Sequence, residues 1–170
     1  ALPDAIKKAG GTPVMWKTGH SLINDKMKEL RAPIAGEMSG HMFFTEGFYG
    51  HDDALYGAAR LLRIVADSGK SVTELLADVP KFVSTPELRV EVPESLKFGL
   101  VDRAVSHFAS RYDTVGVDGV RVNFGDGWGL IRASNTQPVL VTRFEARTPE
   151  RLSAIREEME GWLRTQGVTV

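Results

Sequence analysis

There is no cysteine in this chain, so disulfides, thiolate nucleophiles and zinc–thiolate centres are excluded by composition, and a reducing compartment such as the cytoplasm is permitted. Long apolar runs are missing too. No stretch approaches the roughly 20 apolar residues of a membrane-spanning helix, and no basic segment leading into an apolar one opens the chain. An excess of one charge is also lacking. With 21 basic and 22 acidic residues the formal net charge is -1, which argues against a nucleic acid or membrane surface held by bulk electrostatics. Any anion site must therefore be local. What remains is an ordinary globular composition of 170 residues, 42% hydrophobic and 25% charged, enough for one large domain or two small ones. An initiator methionine is absent as well. Leu2, Ile6 and Ala9 share a helical face that stops at Gly10-Gly11, so the chain is expected to begin inside a domain, a processed natural start being the other reading.

Along the chain, Thr12 to Trp16 is an apolar run expected to form a buried strand, with Lys17 to Ser21 as its exit loop. Leu22, Ile23, Met27 and Leu30 then space as a helix that Ser21 is placed to cap. Short apolar runs flank Gly36-Glu37-Met38-Ser39-Gly40-His41, and a strong helix over 53–66 is expected to turn Leu55, Ala58, Ala59, Leu62 and Val65 inward. Asp52 and Asp53 before it read as an N-terminal cap in preference to a metal site, because two adjacent carboxylates lack the further ligands that a divalent ion takes. A further short helix covers 73–77. Residues 81–86, bounded by Pro80 and Pro86, read as an extended linker.

Beyond it the pattern changes. Residues 87–92 alternate as a strand, 95–109 form a helix with Phe98, Val101, Val105 and Phe108 inward, and 119–124, 128–132 and 139–145 alternate again. Thr148-Pro149 starts a last helix in which Leu152, Ile155, Met159 and Leu163 share a face. The fold class expected is an α/β partial domain, a mixed sheet with helices, over 1–80. An α+β domain over 87–170 follows, an antiparallel sheet with helices on one face.

Two loops concentrate chemistry. Arg132-Ala133-Ser134-Asn135-Thr136-Gln137-Pro138 joins two strands and offers a guanidinium fork, two hydroxyls, an amide and backbone N–H groups, the donor set that a phosphate dianion takes. Taken alone, the same residues make an ordinary polar hairpin turn. The second loop, 36–41, brings a carboxylate, a hydroxyl and an imidazole between two glycines, groups that hold sugar hydroxyls or move protons.

These stretches carry a resemblance. WKTGHS at 16–21, GEMSGH at 36–41 and RASNT-P at 132–138 resemble the C-terminal half of the alpha-D-phosphohexomutases, in the bacterial phosphomannomutase/phosphoglucomutase branch, from about Gly10 to the last helix. The resemblance implies that 1–80 is the C-terminal part of that family's third domain, with its sugar-binding loop. It makes 81–86 a hinge and 87–170 a phosphate-binding domain of TATA-box-binding-protein-like outline. It implies that Arg132, Ser134, Asn135 and Thr136 bind the phosphate that is not reacting, that Glu37 and Ser39 take the sugar's 3- and 4-hydroxyls, and that Lys17 lies near the phosphosugar. His20 and His41 would face the cleft as substrate contacts or proton-transfer groups. Gln137 departs from the family's usual threonine at a position not expected to be a ligand.

The implied activity interconverts hexose 1- and 6-phosphates of glucose or mannose through a phosphoserine and a bisphosphorylated intermediate, glucose 1,6-bisphosphate. It implies Mg2+, held by N-terminal domains not among these residues, a cytoplasmic monomeric parent, and no metal ligands here. No serine of this chain sits in a phosphoserine context and no aspartate-rich loop could hold the ion, so the chain alone is expected to be inactive. The alternative is a non-catalytic phosphosugar or anion-binding module. Nucleic-acid binding is disfavoured because no arginine or lysine stripe is apparent on alternating strand positions.

Overall fold

The computed structural model describes all 170 residues, which divide into two compact units, Ala1–Pro80 and Lys81–Val170. No helix is long and apolar enough to cross a membrane.

In the first unit, α1 (Leu2–Lys8) ends where the Gly11 N–H closes back on the Ile6 carbonyl. Residues 12–16 form no strand, contrary to the apolar run, and Val14, Met15 and Trp16 stand exposed. An extended segment needs a ladder partner for its backbone groups, and the unit's one sheet lies elsewhere. That sheet is the hairpin of β1 (Ile34–Gly36) and β2 (Met42–Phe44), in antiparallel register Ile34↔Phe44 to Gly36↔Met42. Between the exposed run and the hairpin lies α2 (His20–Leu30), whose N-cap is Gly19. Ser21 therefore falls inside the first turn and caps nothing. Helix α3 (Ala54–Ser68) begins where the Asp53 carboxylate accepts the Tyr56 N–H at 2.7 Å. Its apolar face is not covered: Leu55 is 85% and Leu62 69% exposed, and no α3 residue is buried. The short α4 (Val72–Leu75) is held by a reciprocal Ser71–Glu74 capping box.

The second unit is an antiparallel sheet in the order β3-β8-β7-β6-β5, with β4 also pairing along β8. Its strands are β3 (Val83–Ser84), β4 (Leu88–Glu91), β5 (Asp113–Val115), β6 (Val120–Asn123), β7 (Gly127–Ala133) and β8 (Val139–Ala146). Helices α5 (Glu94–Ala109) and α6 (Pro149–Thr165) cover one face. Between them and the sheet sit Val120, Val122, Ile131, Leu140, Phe144, Ala104, Phe108, Ile155, Met159 and Leu163. Helix α6 starts as its sequence demands, with Thr148 accepting the Arg151 N–H and Pro149 at the first helical position.

Two expectations are corrected here. Residues 81–86 are not simply a linker: Val83 and Ser84 pair with Ala146 and Glu145. Thr85 both donates to the Phe144 carbonyl and accepts the Phe144 N–H. Strand β8 is long enough to offer an edge beyond β4, and Pro86, which has no N–H to offer, falls in the break between the two pairings. On α5, Phe98 is 54% exposed and Lys97 takes its place inside, so the buried face runs Lys97, Leu100, Val101, Ala104, Phe108. The face is turned by one residue because the Lys97 amine finds polar partners within the fold.

Candidate functional site

Each unit contains one cluster. In the first, the hairpin turn of Met38-Ser39-Gly40 sets Glu37 and His41 opposite each other, the Glu37 N–H donating to the His41 carbonyl at 2.9 Å. Gly40 carries φ 96, in the region that strains an L side chain, and so permits the tight return. The Glu37 carboxylate reaches out of the hairpin and accepts the Gly19 N–H at 2.7 Å. This seats a negative charge at the N-terminus of α2, where the helix dipole favours it. That one bond draws the 17–20 loop onto the 37–41 loop, and His20, the first residue of α2, follows. The rings of His20 and His41 meet edge to face with centroids 4.0 Å apart. The Ser39 hydroxyl donates to the other Glu37 oxygen at 3.3 Å. Lys17 is exposed and joins none of these contacts.

The residue that sequence reasoning missed is Asp52. Only Asp53 caps α3. Asp52 forms an isolated β-bridge with Phe43 and turns its carboxylate back to His41 Nδ1 at 2.6 Å and the Met42 N–H at 3.1 Å, with His20 Nε2 at 3.5 Å. The His41 hydrogen bond holds the Asp52 carboxyl below the ordinary carboxylate range. Partial burial opposes it, and the Met42 N–H and the two imidazoles add to it. With Nδ1 committed, His41 keeps Nε2 for proton exchange, the arrangement by which a carboxylate orients an imidazole. The available signal was the pair itself: one helix N-terminus needs one capping carboxylate, which leaves the other for a different task.

His20, Glu37 and His41 are also the one group of three metal-ligating side chains that the fold brings together, their ligand atoms within 4.8 Å of one another. Two imidazoles and a single carboxylate do not fit Mg2+, which takes oxygen ligands in a tight octahedron. Nor are these groups idle, since the Glu37 and His41 atoms already hold Gly19, Ser39 and Asp52.

In the second unit the turn of residues 134–138 closes the β7–β8 hairpin beyond the Ala133↔Leu140 pair. The Ser134 N–H donates to the Val139 carbonyl at 3.0 Å, and the Ser134 hydroxyl, almost buried, accepts the N–H groups of Thr136 and Gln137 at 3.4 and 3.2 Å. Ser134 thus shapes the turn, while Asn135 and Thr136 stand exposed. Arg132 lies on the sheet face away from the helices, its side chain 16% exposed and 3.9 Å from Glu87. It is seated by a close approach. A Cβ on Gly119 (φ 77) would fall 2.2 Å from the Ile131 carbonyl oxygen and 2.7 Å from the Arg132 Cα.

The register also corrects the expectation about basic residues. Arg89, Arg121, Arg132 and Arg143 share that open face, because Arg89 and Arg132 both lie opposite Val141, while Arg121 and Arg143 both lie opposite Leu130. Four separate strands contribute one arginine each, so no single stretch shows the group. Glu87 and Glu145 sit among them, the latter accepting from the Trp128 indole at 3.1 Å.

Comparison with known proteins gives this geometry its context. Residues 1–82 match the family model described as phosphoglucomutase/phosphomannomutase, alpha/beta/alpha domain III, and residues 87–161 match the C-terminal domain model of the same family. A phosphomannomutase/phosphoglucomutase of Pseudomonas aeruginosa is 48% identical over 161 residues, which is 94% of this chain and 35% of that protein. A phosphoglucomutase of Neisseria meningitidis serogroup A is 46% identical over 158 residues, 91% of this chain and 34% of the relative. The chain thus spans about a third of the length of the curated relatives it matches. Among solved structures, a phosphoglucomutase/phosphomannomutase family protein of Burkholderia thailandensis superposes with a TM-score of 0.84 at 42% identity, over 96% of this chain and 35% of its own. An N-acetylphosphoglucosamine mutase of Aspergillus fumigatus, solved with glucose 1,6-bisphosphate, shares the fold at a TM-score of 0.67 and 17% identity, over 98% of this chain and 36% of its own.

Proposed function

The chain belongs to the phosphoglucomutase/phosphomannomutase family, and on that footing we propose that it is the substrate-binding part of a phosphohexomutase. The parent enzyme would interconvert hexose 1- and 6-phosphates of glucose or mannose in the cytoplasm, as a monomer. A phosphoserine gives its phosphoryl group to the free hydroxyl of the sugar phosphate, and that hydroxyl loses its proton. The resulting bisphosphate reorients and returns its other phosphoryl group to the serine. Chemistry of this kind needs positioning and charge stabilisation more than covalent help.

The observation that carries the reading is the turn at 134–138. Ser134 pins its backbone from within, while Asn135 and Thr136, three and four residues beyond Arg132, stay open to solvent. Each charge-assisted hydrogen bond to a phosphate there contributes about 1.5–3 kcal/mol. The cluster of Glu37, Ser39, His20 and His41 supplies acceptors for the 3- and 4-hydroxyls and an oriented imidazole for proton transfer. Glucose and mannose agree at the 3- and 4-positions, so this assignment also accounts for tolerance of both sugars. Mg2+ and the phosphoserine belong, in this reading, to domains that the chain does not span. The chain alone then binds sugar phosphates weakly and turns none over.

The test uses two readouts on the 170-residue chain. Titration with glucose 6-phosphate is expected to shift the backbone amide resonances of 134–137 and those around Glu37 and His41, and a coupled mutase assay is expected to stay at background. Amides at 134–137 that ignore saturating sugar phosphate would overturn the binding role. Turnover by the chain alone would overturn its inactivity. In the parent enzyme, Arg132→Ala is expected to lower turnover as well as affinity, whereas a passive anion-binding module has no turnover to lose.

A further inference from the structure

Behind the phosphate turn lies a charged group that the reading above does not use. Lys97, on the first turn of α5, is 1% exposed. An ammonium removed from water is tolerated only where acceptors and an opposite charge meet it, and two partners do this. Glu94 lies at 2.7 Å and the Gln137 carbonyl accepts from Nζ at 3.1 Å, while the Phe98 ring lies 5.0 Å away. Gln137 is held by several further bonds. Its carbonyl also accepts the Val139 N–H at 2.8 Å across Pro138, its own N–H donates to the Ser134 hydroxyl, and its side-chain carbonyl accepts from Arg89. Val92 in turn donates to the Pro138 carbonyl at 3.0 Å. Helix α5 and strand β4, both remote in sequence from the turn, thus grip the residue that follows Asn135 and Thr136.

We propose that Lys97 is a positioning residue for the anion turn: through the Gln137 carbonyl it fixes the backbone of 134–137 in its binding geometry before any ligand arrives, with Arg89 on the Gln137 side chain as a second brace. The inference rests on the reading that this turn binds phosphate. The gain is pre-organisation, since a turn already ordered loses less conformational freedom on binding. It is not a direct charge contact. Lys97 is enclosed and paired with Glu94, so it reaches a ligand only by way of the backbone it holds.

The experiment is an NMR study of the 170-residue chain with inorganic phosphate as the probe. The wild-type chain must first show phosphate-dependent shifts at 134–136. Their absence would sink the phosphate reading itself, leaving the brace as a separate question answered by relaxation. In the free chain, 15N relaxation at 134–137 is expected to match that of β7 and β8. A turn that becomes ordered only when phosphate is added overturns the proposal without any variant. Lys97→Met is expected to leave the β6–β8 resonances in place, move the Gln137 and Val139 amides, and weaken phosphate binding about tenfold. Lys97→Arg, which keeps a donor, is expected to recover most of that loss. A folded Lys97→Met chain with wild-type phosphate affinity overturns the assignment. If that variant unfolds, Arg89→Gln, a change at an exposed side chain, is expected to weaken phosphate binding about threefold with the sheet intact. Unchanged affinity there counts against the brace.

Discussion

Each unit carries a polar loop at a hairpin turn, and the two rest on unequal foundations. In the second, one continuous core of seventeen buried apolar residues lies under the sheet that ends in the anion turn. In the first, Met27, Phe43 and Phe44 are the only buried apolar side chains. The anion turn therefore inherits its geometry from packing. The cluster at Glu37 and His41 is held by a few hydrogen bonds across a two-stranded hairpin, an element of marginal stability by itself. The second unit thus orders its turn through a core, whereas the first orders its loop through Asp52 and the Gly19 N–H.

The largest expected effect tests that contrast directly. Phe144 is fully buried between sheet and helices, and Phe144→Ala is expected to destabilise the second unit by about 3–5 kcal/mol. Leu62→Ala on the uncovered face of α3 is expected to change stability by less than about 0.5 kcal/mol. Urea unfolding, followed by resonances of each unit separately, should show the first unit melting at the lower denaturant concentration. A Leu62→Ala loss equal to that of Phe144→Ala would break the comparison.

Next in size is Gly119→Ala. It combines left-handed backbone strain with a Cβ that would meet the Ile131 carbonyl oxygen at 2.2 Å, and the expected loss is about 2–4 kcal/mol. Because the clash falls on the backbone beside Arg132, resonances at 131–133 should move farther than those at 139–141. An equal spread over the sheet would mean that Gly119 does not specifically seat Arg132.

How far these features could be read in advance depended on whether the information was local. Helix α6 was legible, since its cap, its N1 proline and the spacing of Leu152, Ile155, Met159 and Leu163 lie within one segment. The turn over 134–138 between two strands was legible for the same reason. Asp52 was not, because its role depends on a β-bridge to Phe43 that no local period announces. Lys97 was hidden by helical periodicity, which sends charges outward unless a tertiary acceptor intervenes, and the Gln137 carbonyl lies 40 residues away. The strand expected over 12–16 failed because an apolar run specifies a preference for burial and says nothing of the neighbour that would complete its ladder. The four arginines on one sheet face escaped notice because each comes from a different strand.

Arg132→Ala sharpens the comparison at the level of binding. Its guanidinium is the one full positive charge within the anion motif, and its removal is expected to weaken phosphate binding by about 1.5–3 kcal/mol. Stability should change little, because the group projects to the face away from the core. Isothermal titration of the folded variant measures the first, and thermal melting the second. A variant that binds phosphate as the wild type does would move the anion site off this turn.

The smallest effect concerns the hydrogen-bonded cluster. The Asp52 carboxyl is held below its ordinary value of 3.8 by the bond from His41. A carboxylate depressed in the folded state contributes stability that is present above its unfolded value and lost as the pH falls through the lower folded one. The first unit is therefore expected to lose this contribution only below pH 3.8, and the Asp52 carboxyl carbon is expected to titrate with a midpoint under that value. Asp52→Asn should abolish that step and free the His41 ring, seen as larger shifts at His41 and Met42 than at Gly19, whose partner is Glu37. If Asp52 titrates at or above 3.8, the carboxylate is not engaged by the imidazole. The proton-transfer role proposed for His41 would then lose the group that orients it, although the proposed anion turn, built on separate contacts, would be untouched.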